Sequence, residues 1–515
     1  MPRKEYVEYY KGALGMREDD FEEFLEWIEK DLAYAFRVAR TPLANMIKRR
    51  IEKYPFVRRI RYLEDVYEFR KRKEKDDVYR EFTEFLTNQT NIGVIQRQEI
   101  VSMVPVLLMD LKKDSRVIDM CAAPGSKTKQ ILEAVTDGLV IANDVNGKRL
   151  KVLVSETTKR PNGSLIVTKH DATAFPSIYE GGSQVMFDRV FCDVICSSDG
   201  TMRKSPGILD EWKLSKSGGL FDTQWRILKR GCDLVAEGGL VSYSTCSLNP
   251  IENECVVQRM LLEGDFELVD FRGDSRLALF PSGGDGTKLI FREGLRKWGT
   301  DDQIFKNPHY QPCRVDLGLE KCIRLYPHDQ DTGGFFIAIL RRKRGIGREM
   351  SMKRPSESSF QRFVFLTKDA KDKILEGYSM CVNGELYRKT EKSRTISAVS
   401  SIAARVLNGN PGLNVISAGY RILEKSGLSH ADFYMKNLFH IGGDFICNLR
   451  ISMEQFKLLL KETFVSNALL GFEHIGLAVA RVEGIGVTLC GYGSHSSFTL
   501  FMNNNLRKAL KDLVL

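Results

Sequence analysis

The sequence predicts an α/β protein built on an open, mainly parallel sheet, with a mainly helical segment before it and a small α+β segment after it. Two observations carry that expectation. From about Ser115, short β-branched runs alternate with helical segments, the pattern of βαβ units. The runs RVIDM, LVIAND, SLIVTKHD, FDRVFCD and GLVSYSTC also each close on a polar or reactive residue, as expected where strand ends line a ligand crevice. FFIAILRR, near residue 340, reads as the final strand. At 515 residues the chain exceeds an ordinary domain of about 100 to 200 residues, so two or three domains are expected.

Ahead of the sheet, Phe21, Phe24, Leu25 and Ile28 fall at i, i+3, i+4 and i+7 and predict an amphipathic helix. A basic run follows: Lys48, Arg49, Arg50, Arg58, Arg59, Arg61, Arg70, Lys71, Arg72 and Lys73, interleaved with tyrosine and phenylalanine. A solvated charged face and a phosphate-contacting surface account for it equally well. After the final strand, RRKRGIGREMSMKRPSESS combines charge, Gly, Pro and Ser without apolar period, as a linker does. LNVISAGYRIL, HIGLAVARV and GVTLCGYG then read as strands of a small separate domain. The expected divisions are 1–95, 96–342, 343–358 (the basic linker) and 359–515.

Hydrophobic residues at 43% and charged residues at 28% exclude a mainly disordered or collagen-like chain. No apolar stretch approaches the roughly 18 residues a spanning helix needs, and the N-terminus lacks a signal-peptide core, so a soluble protein without a membrane partner is expected. Eleven cysteines without such a signal point to reduced thiols. Cys192 and Cys196 lack the repeat and the His partners of a zinc site, so no metal is expected. The net charge of +10 suits a polyanionic partner without proving one.

The strand ends gain meaning when read together. The first runs into Asp119 and the loop Cys121, Ala122, Ala123, Pro124, Gly125, Ser126, Lys127 and Thr128, whose small residues let a ligand approach backbone amides at a helix start. The next three end on Asp144, Asp171 and Asp193. An acid at the end of the second strand, about 20 residues past a glycine loop, is placed to accept ribose hydroxyls, which implies a nucleoside-containing cofactor. Any one such Asp is more often a helix cap or turn residue, but four in one sheet weaken that explanation. APGSKT fails as a triphosphate loop because Ser126 separates Gly125 from Lys127, and a dehydrogenase reading lacks G-x-G-x-x-G. Buried small hydrophobes are the usual fate of Cys192, Cys232 and Cys255. Cys196 and Cys246 instead lie in Ser-rich loops at the ligand edge, where a thiolate could reach a substrate.

These residues, together with FTEFLTNQTNIGVIQRQEIVSMVP, CAAPGSKTKQ, VIANDV, KHDA, CDVICSSDGTMRK, YSTCSLNPIENE and PHDQDTGGFFIAIL, resemble the Sun-family RNA cytosine-5 methyltransferases, in particular their eukaryotic tRNA-modifying branch. The resemblance spans about residue 80 to 340; YYK and AFRVART before it, and a PUA-like segment around LNVISAGYRI after it, are similar more loosely. It implies a Rossmann-like S-adenosylmethionine-dependent methyltransferase core between an N-terminal RNA-binding extension and a PUA-like C-terminal domain, acting on tRNA as a monomer. It further implies that Cys121 to Lys127 hold the methionine part of S-adenosylmethionine, Asp144 the ribose and Asp171 the neighbourhood of the adenine. Asp193 would stand between cofactor and cytosine with Lys127 beside it, Cys246 would be the nucleophile, and Cys196 would help release the product.

The family usually has Pro-Cys-Ser-Gly where this chain has Ile195, Cys196, Ser197 and Ser198. Proline fixes φ and glycine permits positive φ, so this loop is expected to be held differently. Three alternatives stand beside the tRNA reading: a catalytically weakened RNA-binding scaffold, a methyltransferase of another RNA, and a DNA cytosine methyltransferase. The last is disfavoured because Pro is missing before Cys196 and a second cysteine stands in YSTCS. The basic linker could serve as a bipartite nuclear signal, which places the nucleus slightly ahead of the cytoplasm.

Overall fold

The computed structural model describes residues 4–72, 76–280, 286–299, 307–345, 363–377, 384–425, 433–435, 449–462, 464–471, 476–485 and 487–515. Lys73 of the basic run and residues 346–358 of the basic linker lie outside them.

The central sheet has eleven strands among the described residues. In spatial order they are Leu277–Leu279, Leu289–Glu293, Ile323–Leu325, Phe335–Arg342, Val235–Thr245, Phe187–Asp193, Arg116–Asp119, Leu139–Asn143, Leu165–Thr168 and Val415–Ala418, with Phe266–Leu268 beside Phe335–Arg342. From Val235–Thr245 to Leu165–Thr168 neighbouring strands are parallel. Helices cover the faces of such a sheet, so Val140, Ile141, Ile166, Val167 and Val190 are fully buried, which is why these strands read as continuous apolar runs. The registers Phe191↔Asp119 and Asp193↔Ser244 bring the carboxyl ends of three strands to one edge. This is the parallel sheet that the alternation of runs predicts, in the Rossmann-like form that the family resemblance implies. Phe335–Arg342 is antiparallel to Val235–Thr245, and shorter strands continue the sheet beyond it.

The N-terminal extension carries helices Lys4–Leu14, Glu18–Ile28, Ala44–Ile51 and Asp77–Asn91. Helix Glu18–Ile28 buries Phe21, Phe24 and Ile28, and Phe24 stands edge-on to Tyr326 and His328 of the core. The extension also holds a four-stranded sheet, in the order Arg58–Arg59, Val66–Phe69, Tyr34–Val38, Ile95–Arg97, that the sequence reading did not anticipate. Strands of two to five residues are too short to declare a period.

From residue 363 on, the described residues build two five-stranded sheets and also lend a strand to the central one. LNVISAGYRIL, which reads as one strand, divides: Val415–Ala418 pairs with Leu165–Thr168, and Tyr420–Lys425 pairs with Thr395–Val399. Gly419 makes the break at φ 53°, where an added Cβ would lie 1.8 Å from the Ala398 carbonyl oxygen. The last stretch packs on the extension: Phe456, Leu459 and Leu510 share a core with Phe82, Phe85 and Leu86, and the Gln89 side-chain amide donates to the Ala509 carbonyl at 2.8 Å. Among the described residues no helix is long and apolar enough to cross a membrane.

Candidate active site

Strand Arg116–Asp119 ends on a buried carboxyl. Thr128 Oγ1 donates to Asp119 Oδ2 at 2.8 Å, while Asp119 Oδ1 is buried without a partner within the protein. Burial above all holds this carboxyl up at about 7. The chain then turns through Cys121 to Gly125 into helix Ser126–Ala134. Gly125 sits at φ 109°, a backbone conformation that favours glycine, and a Cβ there would lie 2.7 Å from Leu153 Cδ1 and force that side chain to shift. Ala122 and Ala123 are buried, Cys121 partly so.

The second strand end is tied to that loop. The amides of Ala123 and Asn146 donate to Asp144 Oδ2 and Oδ1 at 3.2 and 2.8 Å, so both oxygens of the buried carboxylate are held by backbone donors. Arg149 lies 3.9 Å from Asp144 and donates to the Ala123 carbonyl, a clasp that no sequence signal singled out. Asp171 is exposed and accepts from the amide and hydroxyl of Thr173 at 2.9 and 2.8 Å, so it also serves as the turn residue it could have been. His170 beside it accepts from the amide of Asn414 at 3.0 Å, which puts the C-terminal strand next to this corner of the crevice.

On the other side, Lys127 Nζ donates to Asp193 Oδ2 at 2.6 Å, and Ser244 Oγ donates to Asp193 Oδ1 at 2.7 Å. Lys127 is buried and its ammonium stands 5.1 Å from the centre of the Phe335 ring. Of these partners the sequence reading named Asp193 and Lys127; Ser244 and Phe335 were not singled out, although each lies within a quoted motif. The two singled-out thiols meet, with Cys196 Sγ 3.3 Å from Cys246 Sγ. Hydrogen bonding to Cys246, followed by burial, pushes the Cys196 thiol well above its ordinary range. Cys192, Cys232 and Cys255 are buried in the apolar core, as expected.

The departures from the family loop are legible here. Ser198 lies in the left-handed region at φ 66°, ψ 19°, where glycine would stand without strain. Ile195 is 46% exposed, and its carbonyl accepts from the Gln224 side-chain amide at 2.8 Å. The next residue in this loop, Asp199, accepts from the Tyr10 hydroxyl and, at 2.7 Å, from the Leu248 amide. The N-terminal YYK helix therefore docks directly behind both thiol loops. Among the described residues no group of three or more His, Cys, Asp or Glu is arranged to hold a metal ion.

With this geometry in hand, the comparisons with known proteins are specific. A family model described as 16S rRNA methyltransferase RsmB/F matches residues 106–341. A tRNA (cytosine(34)-C(5))-methyltransferase of Drosophila melanogaster is 39% identical over 302 residues, which is 52% of this chain and 39% of that protein. A tRNA (cytosine(49)-C(5))-methyltransferase of Pyrococcus abyssi is 32% identical over 257 residues, 49% of this chain and 72% of that protein. The crystal structure of PH0851 aligns over 66% of each chain at TM-score 0.50 and 24% identity, a likeness of fold. The chain spans 39 to 59% of the length of the insect and yeast relatives it matches.

Proposed function

The chain belongs to the Sun (RsmB/F) family of methyltransferases, and from that premise we propose that it methylates carbon 5 of cytosines in tRNA, using S-adenosylmethionine and a covalent adduct to Cys246. The observation that carries this reading is the meeting of two thiols, 3.3 Å apart, at strand ends flanking the Asp193–Lys127 pair.

The crevice suits the cofactor. Asp144 presents a buried carboxylate for ribose hydroxyls, Gly125 opens the helix start, and the unpartnered Asp119 Oδ1 offers one further acceptor. Cys121 to Lys127 would border the methionine part and Asp171 the adenine end. Bound S-adenosylmethionine would supply an electrophilic methyl group on its sulfonium.

Carbon 5 of cytosine is too weak a nucleophile to take that methyl unaided. The Cys246 thiolate adds to carbon 6, forming a C–S bond and making carbon 5 enamine-like. The negative charge that addition puts on the ring's polar edge is offset by the Lys127 ammonium, which Asp193, itself held by Ser244, keeps in place. After methyl transfer the carbon 5 proton is lost, the C–S bond breaks, and the thiolate leaves as the 5,6 double bond reforms. Cys196, whose sulfur lies 3.3 Å from that of Cys246, assists this last step: it passes its proton to the departing Cys246 sulfur and, as the thiolate so formed, takes the proton from carbon 5.

Transfer of tritiated methyl from S-adenosylmethionine to bulk tRNA tests the activity, with bisulfite sequencing to identify the modified base. Label retained on cytosine carbon 5 is expected. Absence of transfer to any tRNA, in a protein that binds the cofactor, would leave the RNA-binding scaffold as the better reading.

A further inference from the structure

Glu252 lies in the motif YSTCSLNPIENE but has no part in the chemistry described above. Its side chain is fully buried, and among the described residues no Lys or Arg pairs with it. Its carboxylate is instead surrounded by five donors. Oε1 accepts from the hydroxyls of Ser197, Ser217 and Ser247 at 2.5, 2.8 and 2.9 Å, and Oε2 accepts from the Ser197 amide and the Gln224 side-chain amide at 2.9 and 2.8 Å.

The identity of those donors is the telling part. Ser197 follows Cys196, and Ser247 follows Cys246. Gln224, from the long helix Leu214–Leu234, also holds the carbonyl of Ile195, on the other side of Cys196. One carboxylate thus grips both thiol-bearing loops through the residue next to each thiol, and braces them against a helix. A charge taken out of water without a counter-ion is costly, and hydrogen bonds to it are the only offset. An apolar side chain would fill such a space at less cost if packing were all that mattered.

We propose that Glu252 is the positioning residue of the thiol pair, setting the separation and aim of Cys196 and Cys246 rather than touching substrate or cofactor. The inference rests on the thiol reading given above. Among the described residues no hydrogen bond of this network reaches the Asp144 clasp, so a change in it can be read apart from cofactor affinity.

The test uses the full chain and an RNA carrying 5-fluorocytosine, whose carbon 5 cannot lose a proton, so the enzyme that adds and methylates stays joined to it. Trapping is followed on a denaturing gel, alongside the affinity for S-adenosylhomocysteine and the rate at which the thiol-specific oxidant diamide joins Cys196 to Cys246. Glu252→Gln turns one acceptor into a donor, which cannot satisfy the same five partners. It should slow both trapping and disulfide closure by about tenfold or more and leave cofactor affinity within about twofold. Should Glu252→Gln fold poorly, Ser197→Ala, which removes a single donor, should slow the same two rates by about threefold without altering cofactor affinity. Trapping and closure at wild-type rates in either folded variant would overturn the inference, as would equal losses in rate and cofactor affinity, which mark a merely structural role. A wild type that binds cofactor and tRNA but never traps would overturn the thiol reading itself.

Discussion

At one side of the crevice Asp144 accepts from the backbone amides of Ala123 and Asn146; at the other, the loops of Cys196 and Cys246 share a backbone bond, from the Gly200 amide to the Cys246 carbonyl at 2.8 Å, and otherwise meet through the side chain of Glu252 and its serine and glutamine donors. Backbone donors persist whatever side chains surround them, so the Asp144 corner is a fixed socket. A side-chain network holds only while every member is present, so the thiol corner is stiff yet easily misaligned by substitution. The division matches the demands on the two sides. In the proposed reaction, cofactor binding would need a preformed surface and covalent catalysis two reactive atoms kept in register.

If the two sides are that distinct, substitutions should separate chemistry from affinity. The largest effect is expected for Cys246→Ala, which removes the atom that adds to carbon 6. Methyl transfer should fall by about a thousandfold or more while calorimetry with S-adenosylhomocysteine gives an unchanged dissociation constant. Weaker cofactor binding in that variant would merge the two sides. Asp144→Ala should do the reverse, costing about 1.5 to 3 kcal/mol of cofactor affinity, the usual scale for hydrogen bonds to a charged group. At saturating cofactor it should still trap 5-fluorocytosine RNA, and an unchanged dissociation constant would place the ribose partner elsewhere. The smallest effect is that of Ser198→Gly. Relief of left-handed strain, about 1 to 2 kcal/mol, is partly offset by about 0.4 to 1 kcal/mol of added chain freedom in the unfolded state. A net gain of about 0 to 1.6 kcal/mol in urea unfolding is expected, and a loss of stability would show that the Ser198 side chain matters more than its backbone.

Legibility in the sequence followed the same line between local and distant order. Each parallel strand was readable because both its faces are buried, so Val140, Ile141, Ile166 and Val167 form uninterrupted apolar runs. The placement of Asp144, Asp193 and the two thiols at or just past strand ends, and of Lys127 at a helix start, was readable because few residue types break an apolar run there. The pairing of Val415–Ala418 with Leu165–Thr168 was not, since partners some 250 residues apart leave no local mark and the break at Gly419 sits inside one apolar run. Arg149, Ser244 and Phe335 escaped for another reason: their roles appear only when strands from different parts of the chain are brought side by side. The shared core between helix Asp77–Asn91 and residues 456 to 510 belongs to the same class. Excision of the residues after 363 would accordingly bare an edge of the central sheet as well as remove any RNA contacts they make.

The central claim is that two thiols divide one reaction, with Cys246 making the bond to cytosine and Cys196 assisting its release. It is tested most directly by incubating the wild type, Cys196→Ala and Cys246→Ala with S-adenosylmethionine and unmodified tRNA, then separating the products on a denaturing gel. Cys196→Ala should accumulate a slow-migrating, nuclease-sensitive band, because addition and methylation proceed while elimination stalls; the wild type and Cys246→Ala should show none. A band in Cys246→Ala alone would reverse the two roles, and two active variants without any band would contradict the covalent mechanism for this protein.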